Sequence, residues 1–113
     1  MRVLVTGSRK FTDYERILEA LRAVKGLTCV IHGCQTGADT LAGRAALELG
    51  VNVMEFPADW ERHGDQAGPI RNQEMLRVGE PDWVFAFPLF GSRGTWDMVN
   101  KAYRAKLSVR IFR

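Results

Sequence analysis

Val5-Thr6-Gly7-Ser8-Arg9, His32-Gly33-Cys34-Gln35-Thr36-Gly37-Ala38-Asp39 and Gly91-Ser92-Arg93-Gly94-Thr95 each follow an apolar, strand-like run and precede a helical one. A glycine turn lets backbone approach a ligand where a Cβ would collide. A helix that starts there presents unpaired N–H groups and a positive dipole end to a phosphate. Three such turns, each at a strand-to-helix junction and two of them carrying an arginine, point to a nucleotide-binding rim.

Working outward from these turns, the pattern alternates strand and helix along the whole chain. Strands are expected at residues 2–6, 28–32, 51–56, 82–87 and 108–112. Helices are expected at residues 13–25, 39–49, 69–78 and 95–105. Ile17, Leu18, Leu21 and Val24 share one face of the first, with Asp13 as its N-cap and Gly26 as its stop. Gly50 closes the second, and the third stops near Gly79 and Pro81. Thr95 reads as the cap of the last. Residues 57–68 form the longest non-periodic stretch and are expected to be a loop.

Five strands joined by helices predict an α/β Rossmann-like three-layer sandwich with a mainly parallel sheet, because parallel neighbours need right-handed crossovers. With the first strand central, the winding direction reverses between it and the fourth. Ligands bind at the carboxyl ends of strands at such a reversal. Gly7-Ser8-Arg9 and Gly91 to Thr95 would then face one crevice.

The 113 residues, 46% of them hydrophobic, suit one domain spanning 1–113. No run reaches the roughly 18 apolar residues of a membrane span, and the start Arg2-Val3-Leu4-Val5 has no signal-peptide pattern, so a cytoplasmic protein is expected. Cys29 and Cys34 have no second pair, which argues for reduced thiols and against a metal site. No cofactor is implied. Sixteen basic against thirteen acidic residues leave a net charge of +3, compatible with an anionic small ligand.

Thr6-Gly7-Ser8-Arg9, Gly33 to Asp39, Ala67-Gly68-Pro69-Ile70-Arg71-Asn72 and Gly91 to Thr95 together resemble the SLOG superfamily (Smf/DprA and LOG), in particular its small stand-alone YspA/YpsA-related branch. Gly91-Ser92-Arg93-Gly94-Thr95 is similar to the Gly-Gly-x-Gly-Thr phosphate loop of the LOG phosphoribohydrolases. Arg71 with Met75 resembles their Arg-Lys-x-x-Met helix start. The glycine turns and the resemblance together point to ligand contacts at Gly7, Ser8, Arg9, Gly33, Gly37, Asp39, Arg71, Asn72, Gly91, Ser92, Arg93, Gly94 and Thr95, and Trp60 joins them as an aromatic that could stack on a base or ribose. It also implies a homo-oligomer that completes its pocket with a neighbour. The hydrolases place a glutamate three residues after the phosphate-loop threonine, and here that position is Met98. Asp97 is one residue short, a rotation of about 100° on a helix.

Each residue also has a plainer reading. The glycines could serve tight turns alone, and Asp39 fits a helix cap better than a catalytic acid. Trp60 suits base stacking and hydrophobic cover equally, and Trp83 and Trp96 are expected to pack. Three functions follow. The first is capture or sensing of a nucleotide-derived ligand, such as an ADP-ribose-like or cyclic nucleotide molecule. The second is nucleotide N-glycosidase activity, with Arg71 and Asp97 or Asp39 as candidates for the chemistry. The third is a DprA-like nucleic-acid-binding accessory, disfavoured because the sequence shows no basic–aromatic stripe.

Overall fold

The computed structural model describes residues 1–113 as one five-stranded sheet flanked by helices. The elements are β1 (Arg2–Gly7), α1 (Tyr14–Arg22), β2 (Cys29–His32), α2 (Ala38–Leu49), β3 (Asn52–Glu55), α3 (Trp60–His63), α4 (Ala67–Gly79), β4 (Trp83–Phe87), α5 (Arg93–Arg104) and β5 (Ser108–Ile111). A 3₁₀ turn, Gly64–Gln66, joins α3 to α4. The strand order is β3-β2-β1-β4-β5 and all four pairings are parallel. The central β1 and the reversal beside β4 are as the sequence pattern predicts.

Side chains alternate across the central strands because successive residues of a strand point to opposite faces. Val3, Val5, Val30, Phe85 and Phe87 face α1 and α2, where Ile17, Leu18 and Leu21 complete one core. Leu4, Ile31 and Val84 face Met75 of α4 and Met98 and Ala102 of α5 in the other. Four buried alanines, Ala38, Ala42, Ala45 and Ala46, let α2 lie close against the sheet. Trp83 packs edge-on to Phe85, and Trp96 lies half-buried beneath the Arg113 guanidinium.

Several boundaries differ from the sequence expectation. Helix α1 stops at Arg22, three residues before the expected end, and Gly26 supplies the left-handed turn only afterwards. Helix α4 does end at Gly79, as expected. The left-handed position belongs to Glu80, while a Cβ on Gly79 would press on Ile31. The expected loop at 57–68 is mostly helical: Asp59 caps α3 by accepting the Arg62 N–H at 3.1 Å, and α4 begins two residues before Pro69. Thr95 does not cap α5. Ser92 holds that position, but its hydroxyl bonds Leu89 instead of the helix. Both cysteines are free thiols, Cys29 buried and Cys34 exposed. No helix is long and apolar enough to cross a membrane.

Candidate functional site

The loops after β1, β2 and β4 emerge side by side at the carboxyl edge of the sheet, and two of the five rim glycines are fixed by the packing of those loops. A Cβ on Gly7 would lie 2.5 Å from the Ala38 Cβ and 2.8 Å from the Phe87 carbonyl oxygen. Gly37 has a φ of +82°, and any Cβ there would overlap the backbone of Ser8 and Arg9. The turn after β2 thus sits flush on the turn after β1.

Gly33 serves a different partner. The Arg71 guanidinium lies where its Cβ would be, 2.5 Å away at Nη1. Arg71 reaches there from α4, donating Nη1 to the Gly33 carbonyl and Nε to Asn72 Oδ1 at 3.0 Å. The side chain is nine-tenths buried. Burial pulls its pKa below the usual value, while the Asp39 carboxylate opposes that shift. Its Nη2 has no partner in the protein and is not sealed from solvent. Asn72 extends the network, donating Nδ2 to the Gly94 carbonyl at 3.2 Å and to Asp97 at 2.9 Å. Lys101 holds both Asp97 oxygens at 2.7 Å. Residues from the β2 turn, α4 and α5 are thereby tied into one assembly. Met98 is absent from it, fully buried in the core.

The two long helices that start at this rim differ in how their first turns are satisfied. In α2, Ala38 N–H donates to the Ser8 carbonyl at 3.1 Å and Thr40 N–H to that of Gln35 at 3.1 Å. Asp39 turns its carboxylate back to accept the N–H groups of Gly33 at 3.0 Å and Gln35 at 3.3 Å. That end leaves the Asp39 N–H unpaired but already carries a carboxylate turned back over its turn. In α5 the Gly94 and Thr95 N–H groups have no partner. Thr95 Oγ1 is the one fully buried side-chain polar atom of the protein without a hydrogen bond. Gly91, with φ of +81°, makes the preceding turn; Gly94 has an ordinary φ, and a Cβ there would meet nothing within 4 Å.

Burial pushes the Asp39 carboxyl up from 3.8 to about 6, although its two backbone bonds and Arg71 pull the other way. A folded-state pKa above the unfolded one means that Asp39's contribution to stability is fully present below about pH 4 and is lost as pH rises through 6. The size is about 2–3 kcal/mol. Denaturant titrations of the parent and of Asp39→Asn should therefore diverge over that window, the parent losing stability relative to the variant. A pH-independent difference would remove Asp39 as the titrating group.

Two cavities flank this assembly. One, of about 440 Å³, is lined by Arg9, Cys34, Gln35, Thr36 and Trp60. Arg9 Nε donates to Gln35 Oε1 at 3.0 Å across its floor. The other, of about 280 Å³, lies between the end of β3, α3 and α4, and Arg71 reaches it. Cys34 on the wall of the first, Glu55 on the wall of the second and the buried His32 bring ligating atoms within 4.8 Å of one another. His32 Nδ1 accepts the Cys34 N–H at 3.0 Å, so the neutral ring carries its proton on Nε2, facing Glu55 at 3.6 Å. In that tautomer Nε2 offers no lone pair to a cation. Burial lowers the His32 pKa and keeps the ring neutral.

Of the residues expected at the site, Gly33, Asp39, Arg71, Asn72, Gly94 and Asp97 meet in one network, and Arg9 and Trp60 line the larger cavity beside it. Gly91, Ser92 and Arg93 form the turn into α5 and line neither cavity. Lys101, Cys34 and Glu55 escaped the sequence reading. Only the i, i+4 spacing of Lys101 from Asp97 could have signalled the first.

A family model described as YspA, cpYpsA-related SLOG family matches residues 1–63, more than half of the chain. The chain belongs to the YspA/cpYpsA-related SLOG family. This SLOG protein is 42% identical over 121 residues to the Gene 61 protein of Mycobacterium phage D29, an alignment covering 98% of the chain and 95% of that protein. Its fold is shared by the X-ray structure of DNA processing protein A (DprA) from Streptococcus pneumoniae, with a TM-score of 0.80 at 16% identity. That likeness covers 97% of the SLOG chain and 49% of DprA, so the chain spans about half of DprA's length.

Proposed function

We propose that the protein captures a nucleotide-derived ligand by its phosphate at the start of α5, and that it binds without cleaving. The observation carrying this reading is the open first turn of α5: two unpaired N–H groups, a positive dipole end and a buried hydroxyl without a partner. Buried polar groups are ordinarily paired, and a helix N-terminus with free amides favours an anion. Gly94 supports the reading from another side. Glycine inside a helix is unfavourable by about 1 kcal/mol relative to alanine, and neither its φ nor any neighbouring atom of the protein requires it. A ligand approaching the backbone there supplies the reason. From that phosphate the ligand runs past Asn72 to Arg71, which lines the smaller of the two cavities.

Gly94→Val tests this directly, because the open space around its Cβ lets valine fit the free protein. Calorimetry with nucleoside 5′-monophosphates and with ribose 5-phosphate should show affinity reduced at least ten-fold and a melting temperature within a few degrees of the parent. Thr95→Val, which removes only the hydroxyl, should weaken binding about three- to ten-fold. Unchanged affinity in a folded Gly94→Val protein would remove α5 from the site.

A further inference from the structure

We infer that the smaller cavity, between the end of β3, α3 and α4, is a base subsite that selects guanine; this rests on the nucleotide-capture reading above. The cavity's volume of about 280 Å³ lies just below the range of sites for drug-sized ligands and suits one planar heterocycle. Phe56, Pro57, Ala67 and Ile70 give it apolar walls. Its charged groups are unusually disposed. Arg71 and Glu74 are three residues apart on α4 and so share a face, and Glu55 and Glu74 both line the cavity that Arg71 reaches. None of these carboxylates pairs with Arg71, whose bonds go to Gly33 and Asn72. Glu74 contacts Arg77 at 3.4 Å and Glu55 lies 3.6 Å from His32. Asp59, also on the wall, is engaged through one oxygen in capping α3.

A nine-tenths buried arginine with a free Nη2, beside carboxylates it does not neutralise, asks for one ligand face of acceptors and another of donors. Ionised carboxylates only accept. Among the common bases guanine alone sets two donors side by side, N1–H and the 2-amino group, as a match for one carboxylate. Its O6, beside N1–H on the same edge, is an acceptor for the one free guanidinium nitrogen, Arg71 Nη2. Adenine would turn its N1 lone pair, and uracil its carbonyls, toward the carboxylates. The cavity lies next to the phosphate site, because Arg71 on its wall bonds Asn72, which in turn bonds the Gly94 carbonyl at the start of α5.

The test is competition calorimetry on the full chain with GMP, IMP, AMP, UMP and ribose 5-phosphate. GMP is expected to bind at least ten-fold tighter than IMP, which differs only by the 2-amino group, and tighter than the other two nucleotides by as much or more. Glu74→Gln and Glu55→Gln, both at exposed positions, should each reduce the GMP-to-IMP ratio, and the double variant should bring it below about three. If ribose 5-phosphate binds but GMP and IMP bind alike, the base subsite is overturned and phosphate capture stands. If neither ribose 5-phosphate nor any nucleotide binds, both readings fall. A preference for GMP that survives the double carboxylate variant also overturns the assignment.

Discussion

Arg71→Ala is expected to lower stability by about 2–3 kcal/mol and to weaken nucleotide binding at least ten-fold. The guanidinium is the pivot between three elements, bonding the Gly33 carbonyl after β2 and Asn72 on its own helix, which in turn bonds Gly94 and Asp97 of α5. Truncation leaves the Gly33 carbonyl and Asn72 Oδ1 without donors and opens a void against Gly33. Hydrogen bonds to a charged group are worth about 1.5–3 kcal/mol each, part of which is offset here because a buried charge also disappears. For a chain of this size the melting temperature should drop on the order of 10 °C. Arg71→Lys keeps the charge but not the planar fork that lets one side chain serve Gly33 and Asn72 together, so it should recover less than half of either loss. Thermal unfolding and calorimetry on the two variants decide the matter. Parent-like stability and affinity in Arg71→Ala would make the side chain a bystander.

The sequence made this fold readable because each strand and each long helix carries its own period. Val3 and Val5 against Leu4, and Ile17, Leu18 and Leu21 on α1, need no tertiary information to be sorted by face. The family resemblance rested on the same turns, and the match to residues 1–63 supports it. What stayed hidden is what depends on partners distant in sequence. Gly33 looks like a ligand glycine until Arg71, 38 residues later, is seen occupying its Cβ space. Gly79 ends its helix as expected, but its lack of a side chain serves Ile31, found against it, and the left-handed turn falls to Glu80. Helix α3 is only four residues long, too short for a period to show, so its stretch read as a loop. Neither Ser92 nor Thr95 caps α5 with its side chain, because a hydroxyl near a helix start can bond either the helix or its own turn, and that of Ser92 bonds Leu89.

The final expectation separates capture from catalysis: purified protein should release no appreciable base from any nucleoside 5′-monophosphate or ADP-ribose-type compound. Breaking an N-glycosidic bond passes through an oxocarbenium-like state that needs a carboxylate to stabilise charge or activate water. Met98 holds the position where the resembling hydrolases carry glutamate, and it is fully buried in the core. Asp97 does accept from Asn72 Nδ2 at 2.9 Å, but Lys101 engages both of its oxygens at 2.7 Å and neutralises the charge the reaction would draw on. Asp39 has its carboxylate turned onto the amides of Gly33 and Gln35. A missing general acid or base typically removes a factor of about 10²–10⁴ in rate. Chromatography of each nucleotide after incubation reads the outcome. Turnover that disappears in Asp97→Asn would make Asp97 the acid despite its lysine and overturn capture. Turnover that survives Asp97→Asn and is lost in Asp39→Asn would place the chemistry at the β2–α2 turn instead. Recovery of intact ligand, with affinity that depends on Gly94, is what an open helix end without an available carboxylate should give.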